Sequence, residues 1–278
     1  MQTSYTSAPS AAYPGQEDGT GPFRDAISCV VDETAGLDPG IVVFRSTTGD
    51  MTARAIPAVA ADADAIMAAL ATAAAPQVLD TELAGVIGTG LISPARRIVI
   101  VRSAHADQDA VTATLAGYDE NGALVSESIA FANGGGDTLT SVRYYSRVVS
   151  LTIPAQSGVG GTTEIGIGVD FVIGDSDVQG VSLRSQKALA TPGQADNEVY
   201  EDEDTIPVLR RGRVWVSCET ACEAGKRPFI RGIAAGAEVL GAFRGTNTDS
   251  GDCAVWESAR FLTSLTAAGL ALVEINID

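Results

Sequence analysis

A single histidine in 278 residues leaves this chain short of the group that most often serves as a base beside a catalytic nucleophile. That residue, His105, sits in the polar stretch SAHADQDA with Asp107 and Asp109 close by, and the chain contains no G-x-S-x-G nucleophile elbow. Cysteine is also sparse. Cys29, Cys218, Cys222 and Cys253 are the complete set, and the three residues between Cys218 and Cys222 fit neither a redox C-x-x-C pair nor a common zinc knuckle. They read as small buried thiols. Glycine-rich GVIGTG (85–90) and GVGG (158–161) lead into no Walker lysine and no dinucleotide fingerprint, so they read as turns. Asp175/Asp177 and Asp249/Asp252 have oxygen-ligand spacing, yet neither completes a D-x-D-x-D-G…E calcium loop. The expectation is a protein with no catalytic set, no metal and no cofactor.

Positive charge is scarce as well. Eighteen Lys and Arg face 35 Asp and Glu, giving a formal charge of -17 and an isoelectric point near 4.3. A chain so anionic repels phosphate backbones at long range, which disfavours sequence-independent nucleic-acid binding and favours a protein partner. No run approaches the roughly 20 apolar residues of a membrane span. The opening MQTSYTSAPSAAYPG has neither the basic nor the apolar region of a signal peptide, so a chain made and used in a cytoplasm, or in something assembled there, is expected. Aromatics make up only 5% of the residues.

What the chain has in quantity is small aliphatic residues and 30 glycines, the composition of a folded, turn-rich β protein. Residues 1–25 read as an extended arm with Tyr5, Tyr13, Pro14, Pro22 and Phe23 as anchors; it is either a disordered tail or an arm ordered by packing on a neighbour, and the widely spaced aromatics favour the second. Strand-length runs follow at Ile27–Asp32 and Gly40–Arg45. The Ala-rich DADAIMAALATAAA (62–75) has apolar residues at helical spacing, Asp62 or Asp64 to cap it and Pro76 to end it, which predicts one short helix. A second block of strands occupies Arg97–Arg102, Ala110–Tyr118, Ala123–Phe131, Arg143–Ile153 and Thr163–Val169, with DENG (119–122) as a hairpin turn. Strands resume from Gly180, notably at Ile206–Ser217, and close with the alternating LALVEINI (270–277).

This order predicts a mainly β protein. A discontinuous β-barrel or jelly-roll-like domain (26–61 plus 174–278) is interrupted by an inserted β-sandwich (62–173) that carries the short helix at its start. The most basic run, Leu209–Val216, places Arg210, Arg211 and Arg213 beside Trp215. Two readings stand: arginines paired with acidic loops such as Asn197–Asp204, or a docking patch, since Arg and Trp concentrate at interface hot spots. Together with Tyr5, Tyr13, Phe23 and Arg24 of the arm, these residues form the candidate set for contacts with a partner protein or a second copy.

Several stretches carry a resemblance. The opening QTSYTSAPSAAYPGQEDGTGPFRD (2–25), IPVLRRGRVWV (206–216), CEAGKRPFIR (222–231), GAFR (241–244), ARFLT (259–263) and 270–277 resemble, in that order, the phage structural cement proteins. The middle block, at 93–122 and 153–168, resembles a module that recurs as an insertion in phage proteins. The resemblance implies a non-enzymatic virion structural protein, a cement or decoration protein on the outer surface of the shell of a tailed bacteriophage. It would bind and stabilise the major capsid protein lattice, assembled in the host cytoplasm as a dimer or trimer, without nucleic acid or membrane as a partner. A tail or baseplate adaptor is the nearest rival, separated from a head protein by its copy number in the virion.

Overall fold

The computed structural model describes residues 12–19, 24–46, 49, 51–57, 61–88, 90–175, 177–185, 199–233, 238–247 and 252–277. Every regular element among them is a strand. The chain divides into two compact units, one made of Met1–Ile56, Val178–Thr248 and Val255–Asp278, the other of Pro57–Asp177 with Asp249–Ala254.

In the first unit, β1 (Asp25–Val31), β2 (Val42–Arg45), β3 (Thr52–Arg54), β12 (Val178–Ser182) and β13 (Thr205–Cys218) form a ring. β1 pairs with β3 in parallel, and the antiparallel pairs β3–β2, β2–β12, β12–β13 and β13–β1 bring the sheet back to its start. Closure removes the open edges that a sheet otherwise exposes. It also separates this five-stranded barrel from a two-sheet jelly roll, so the barrel half of the expectation holds and the jelly-roll half does not. Inward residues of the ring and its loops, including Val31, Leu37, Val43, Ile206 and Val208, are buried and pack as one cluster, together with Tyr200. The Tyr200 hydroxyl donates to the Leu183 carbonyl at 2.6 Å, satisfying its one polar atom.

β13 is long enough to leave the barrel. Its second half pairs in antiparallel register with β18 (Gly269–Asn276), from Arg211↔Asn276 to Cys218↔Gly269, and β17 (Ala259–Phe261) pairs with β18. Two short strands, β14 (Phe229–Arg231) and β15 (Phe243–Arg244), extend the same sheet. Alternation along β13 buries Gly212, Val214, Val216 and Cys218 and leaves Arg211, Arg213, Trp215 and Ser217 on the opposite face. The four cysteines are free thiols, all buried.

The second unit holds two four-stranded sheets. One runs β5 (Gln77–Leu79), β10 (Arg147–Ile153), β7 (Thr112–Tyr118), β8 (Leu124–Ala130); the other runs β4 (Asp62–Ala71), β11 (Thr162–Val172), β6 (Ala95–Arg102), β9 (Thr138–Tyr145). Ile66, Ile98, Leu115, Tyr145, Leu151 and Ile165, drawn from both sheets, share one buried cluster.

The predicted helix at 62–75 does not form; residues 62–71 are strand β4. Alanine favours helices only weakly in a folded context, and tertiary pairing overrides it. β4 is held on one edge by β11, from Thr162↔Ala71 to Ile167↔Asp62. On its other edge, Gly85 donates to the Ile66 carbonyl and Ile87 to the Ala65 carbonyl. The approach to β11 is close enough to require glycine at 166, because a Cβ there would stand 1.9 Å from the Asp62 carbonyl oxygen. The single run expected at Arg143–Ile153 is two strands, β9 and β10, which part at Ser146 into different sheets.

Candidate functional site

The exposed face of β13, β18 and β17 collects most of the described candidates. Residues 15–18 lie along the edge of β13 opposite residues 213–215: Gly15 donates to the Trp215 carbonyl (2.8 Å), Trp215 to the Gln16 carbonyl (2.9 Å) and Asp18 to the Arg213 carbonyl (3.0 Å), with Glu17 bridged to Val214. This part of the predicted arm is therefore an added edge of the chain's own sheet, not a segment waiting for a neighbour. Its inward-facing backbone groups are satisfied by β13.

Register across these strands aligns two rows. In the first, Asp18, Arg213, Glu274 and Arg260 occupy successive positions. Arg213 Nε donates to Glu274 Oε1 at 3.2 Å and Arg260 Nε to Glu274 Oε2 at 2.8 Å. The Arg260 hydrogen bonds come first among the causes that hold the Glu274 carboxyl below its ordinary value, and those of Arg213 add to them. In the second row Gln16, Trp215, Leu272 and Leu262 stand side by side, with Leu262 donating to the Leu272 carbonyl at 2.7 Å. Trp215, Leu272 and Leu262 are half-buried, so the face offers an aromatic and aliphatic strip bordered by alternating charge.

The remaining candidates lie around this face. Arg24 is paired with Glu17 at 2.6 Å. Tyr13 is 49% exposed, and its ring lies 4.4 Å from the Arg184 guanidinium carbon. Arg210 falls at a register irregularity of β13, where Asp25 faces Arg211 and Ala26 faces Leu209; both Arg210 and Arg211 are half-buried there. Tyr5 and Phe23 lie outside the described residues. The expected pairing of these arginines with the acidic loop 197–204 is replaced, for Arg213, by Glu274. Within that loop Asp204 accepts from the Glu201 amide at 3.1 Å, and Asp202 accepts from the distant Glu33 amide at 3.2 Å.

Sequence reasoning missed a buried charge cluster where β14 and β15 extend the sheet at the end of β13. The Arg231 side chain is fully buried, donating to Glu219 and lying 2.8 Å from Glu238, while Arg244 Nε is 3.8 Å from Glu219. Nothing in the sequence links residues so far apart except the alternation of their short strands. At the lone histidine, His105 Nδ1 is 3.6 Å from Asp107, and the Ser157 hydroxyl donates to Asp109 and to the Asp107 carbonyl. No group of three or more His, Cys, Asp and Glu gathers to hold a metal ion among the described residues. No helix among them is long and apolar enough to cross a membrane.

Residues 146–276 match the family model described as structural cement protein (E217 gp24/Pam3 gp6). These 131 of the chain's 278 residues are similar to the phage structural cement proteins, and the match supports that family. The matched span takes in β10 and β11 of the second unit and everything from β12 almost to the C-terminus. It therefore contains the resembling stretches 206–216, 222–231, 241–244, 259–263 and 153–168, and leaves the opening 2–25 and the stretch 93–122 outside. No curated protein matches the chain. The match suggests a structural role in the virion.

Proposed function

We propose that this chain binds the major capsid protein lattice on the outer surface of a tailed-phage head and stabilises it without catalysing a reaction. The observation that carries the reading is the coincidence of the family match with the face of β13, β18 and β17, where a half-buried Trp215–Leu272–Leu262 strip is bordered by Arg213, Glu274 and Arg260. Interfaces concentrate their binding energy in such aromatic and arginine anchors with a charged rim. A patch of roughly 800 Å² per partner is ordinary for specific association. Repetition over a closed lattice multiplies modest contacts into strong retention. Self-association as a dimer or trimer, with residues 62–173 as an inserted module facing away from the shell, completes the proposal.

The test is co-sedimentation with emptied shells lacking the protein. Wild type binds saturably in head-like copy number, and Trp215→Ala weakens binding by about tenfold or more, as expected for a hot-spot aromatic. Arg213→Glu weakens it further and makes it less dependent on salt. A handful of copies per virion would place the protein in the tail or baseplate instead.

A further inference from the structure

The N-terminal segment, the 38–41 loop and the end of β13 enclose a cavity of about 460 Å³ in the first unit. Two glycines build it. Gly15 and Gly40 have φ of +75° and +82°, and they meet so closely that a Cβ on Gly40 would stand 2.6 Å from the Gly15 nitrogen. Arg184 donates to the Gly15 carbonyl at 2.9 Å and Gly40 to the Ser182 carbonyl at 2.8 Å, fixing both sides of the wall. Pro14, Pro39, Ile41, Val239 and Ala242 make much of the lining apolar.

The charged groups in the lining are unequally provided for. Glu219 has Arg231 at 2.8 Å and Arg244 at 3.8 Å. The Arg184 guanidinium is stacked on the Tyr13 ring. Asp38 differs: the Ser182 hydroxyl donates to its backbone carbonyl, but no cation or donor among the described residues reaches its carboxylate. Burial alone acts on that carboxyl and pushes its titration above the ordinary carboxylate range. A desolvated carboxylate in a mostly apolar pocket is a vacancy for positive charge.

We propose that this cavity receives one basic side chain, arginine or lysine, from the partner protein, with the Asp38 carboxylate as its counter-ion. The inference rests on the docking role proposed above and adds the chemistry of one contact. The long apolar stem of such a side chain lies against Pro14, Pro39, Ile41 and Val239 while its head meets Asp38. An acidic side chain is repelled by Asp38 and finds Arg184 already held over Tyr13.

Two experiments on the full chain test it. In the first, amide resonances are followed during titration with N-acetyl-arginine amide, N-acetyl-lysine amide and, as control, N-acetyl-glutamate amide. Saturable shifts at Gly15, Gly40 and Asp38 are expected with the two basic probes at millimolar concentration and none with the acidic one. Asp38→Asn and Asp38→Ser should each cut the affinity at least tenfold while melting no lower than wild type, because each removes an uncompensated charge. A merely structural Asp38 would instead lower the melting temperature. No saturable shift with either basic probe, preference for the glutamate probe, or binding unchanged in both variants overturns the inference. In the second, emptied shells are offered wild type and Asp38→Asn. Equal binding overturns the pocket and keeps the docking role; wild type that fails to bind at all overturns the docking role, and the titration still judges the pocket.

Discussion

Replacing Glu219 by alanine removes the carboxylate that serves two buried guanidinium groups at once. Its Oε2 accepts from Arg231 Nε at 2.8 Å and lies 3.8 Å from Arg244 Nε, and the two arginine side chains are 0% and 5% exposed. Breaking a buried pair by removing one partner costs about 3–5 kcal/mol, because the remaining charge has lost both water and counter-ion. Arg231 keeps Glu238 at 2.8 Å and the Ile233 carbonyl at 3.1 Å, so the low end, about 3 kcal/mol, applies. For a unit of this size that corresponds to roughly 6–12 °C in Tm. Tryptophan fluorescence during urea unfolding is the natural assay: both tryptophans, Trp215 and Trp256, belong to the first unit, so the signal reports that unit alone. The midpoint should fall with little change in slope. Glu219→Ala/Arg231→Met, which removes both charges of the closest pair, should cost less than Glu219→Ala alone. A loss within about 0.5 kcal/mol of zero, the range of ordinary surface substitutions, would refute the reasoning, as would a double variant less stable than the single.

The carboxyl of Glu274 is held low in the folded state, chiefly by Arg260 and then by Arg213, so its contribution is present above the unfolded carboxylate value and fades as pH falls through the folded one. The stability gap between wild type and Glu274→Gln, measured by denaturant titration, should therefore be full at neutral pH and shrink below about pH 4. Gly166→Ala puts a methyl group against the Asp62 carbonyl and should lower stability by about 1–3 kcal/mol with a matching drop in Tm; a neutral result would speak against a strand at 62–71.

Much of this fold was legible in the sequence where one face of a strand is buried and the other is wet. β18 and the second half of β13 announce themselves by alternation, and DENG folds as the turn it spells, with Asn121 and Ala123 both donating to the Asp119 side chain. Legibility failed where local chemistry and long-range pairing disagree. The segment 62–71 has the composition of a helix, and only its neighbours at 85–87 and 162–167 make it a strand. At 143–153 an unbroken run of strand-favouring residues concealed a corner, because only the sheet each half joins distinguishes them. The site was half readable for the same reason. Arg213 and Trp215 stood out by type, but their companions Glu274, Leu272 and Arg260 are set by register, which no local pattern encodes.

β13 runs unbroken from the barrel into the sheet it shares with β18, and its last eight residues, 211–218, are each matched to a residue of β18. A force directed along that strand loads these cross-strand bonds in shear, all together, whereas a force across it would peel them one after another. Under the docking proposed above, a shell swelling under internal pressure would pull sideways on the molecule that straddles it. A long strand lying in the plane of that stretch meets the load with its whole length, so the mechanical toughness of the molecule depends on how it is laid down as much as on how tightly it is held.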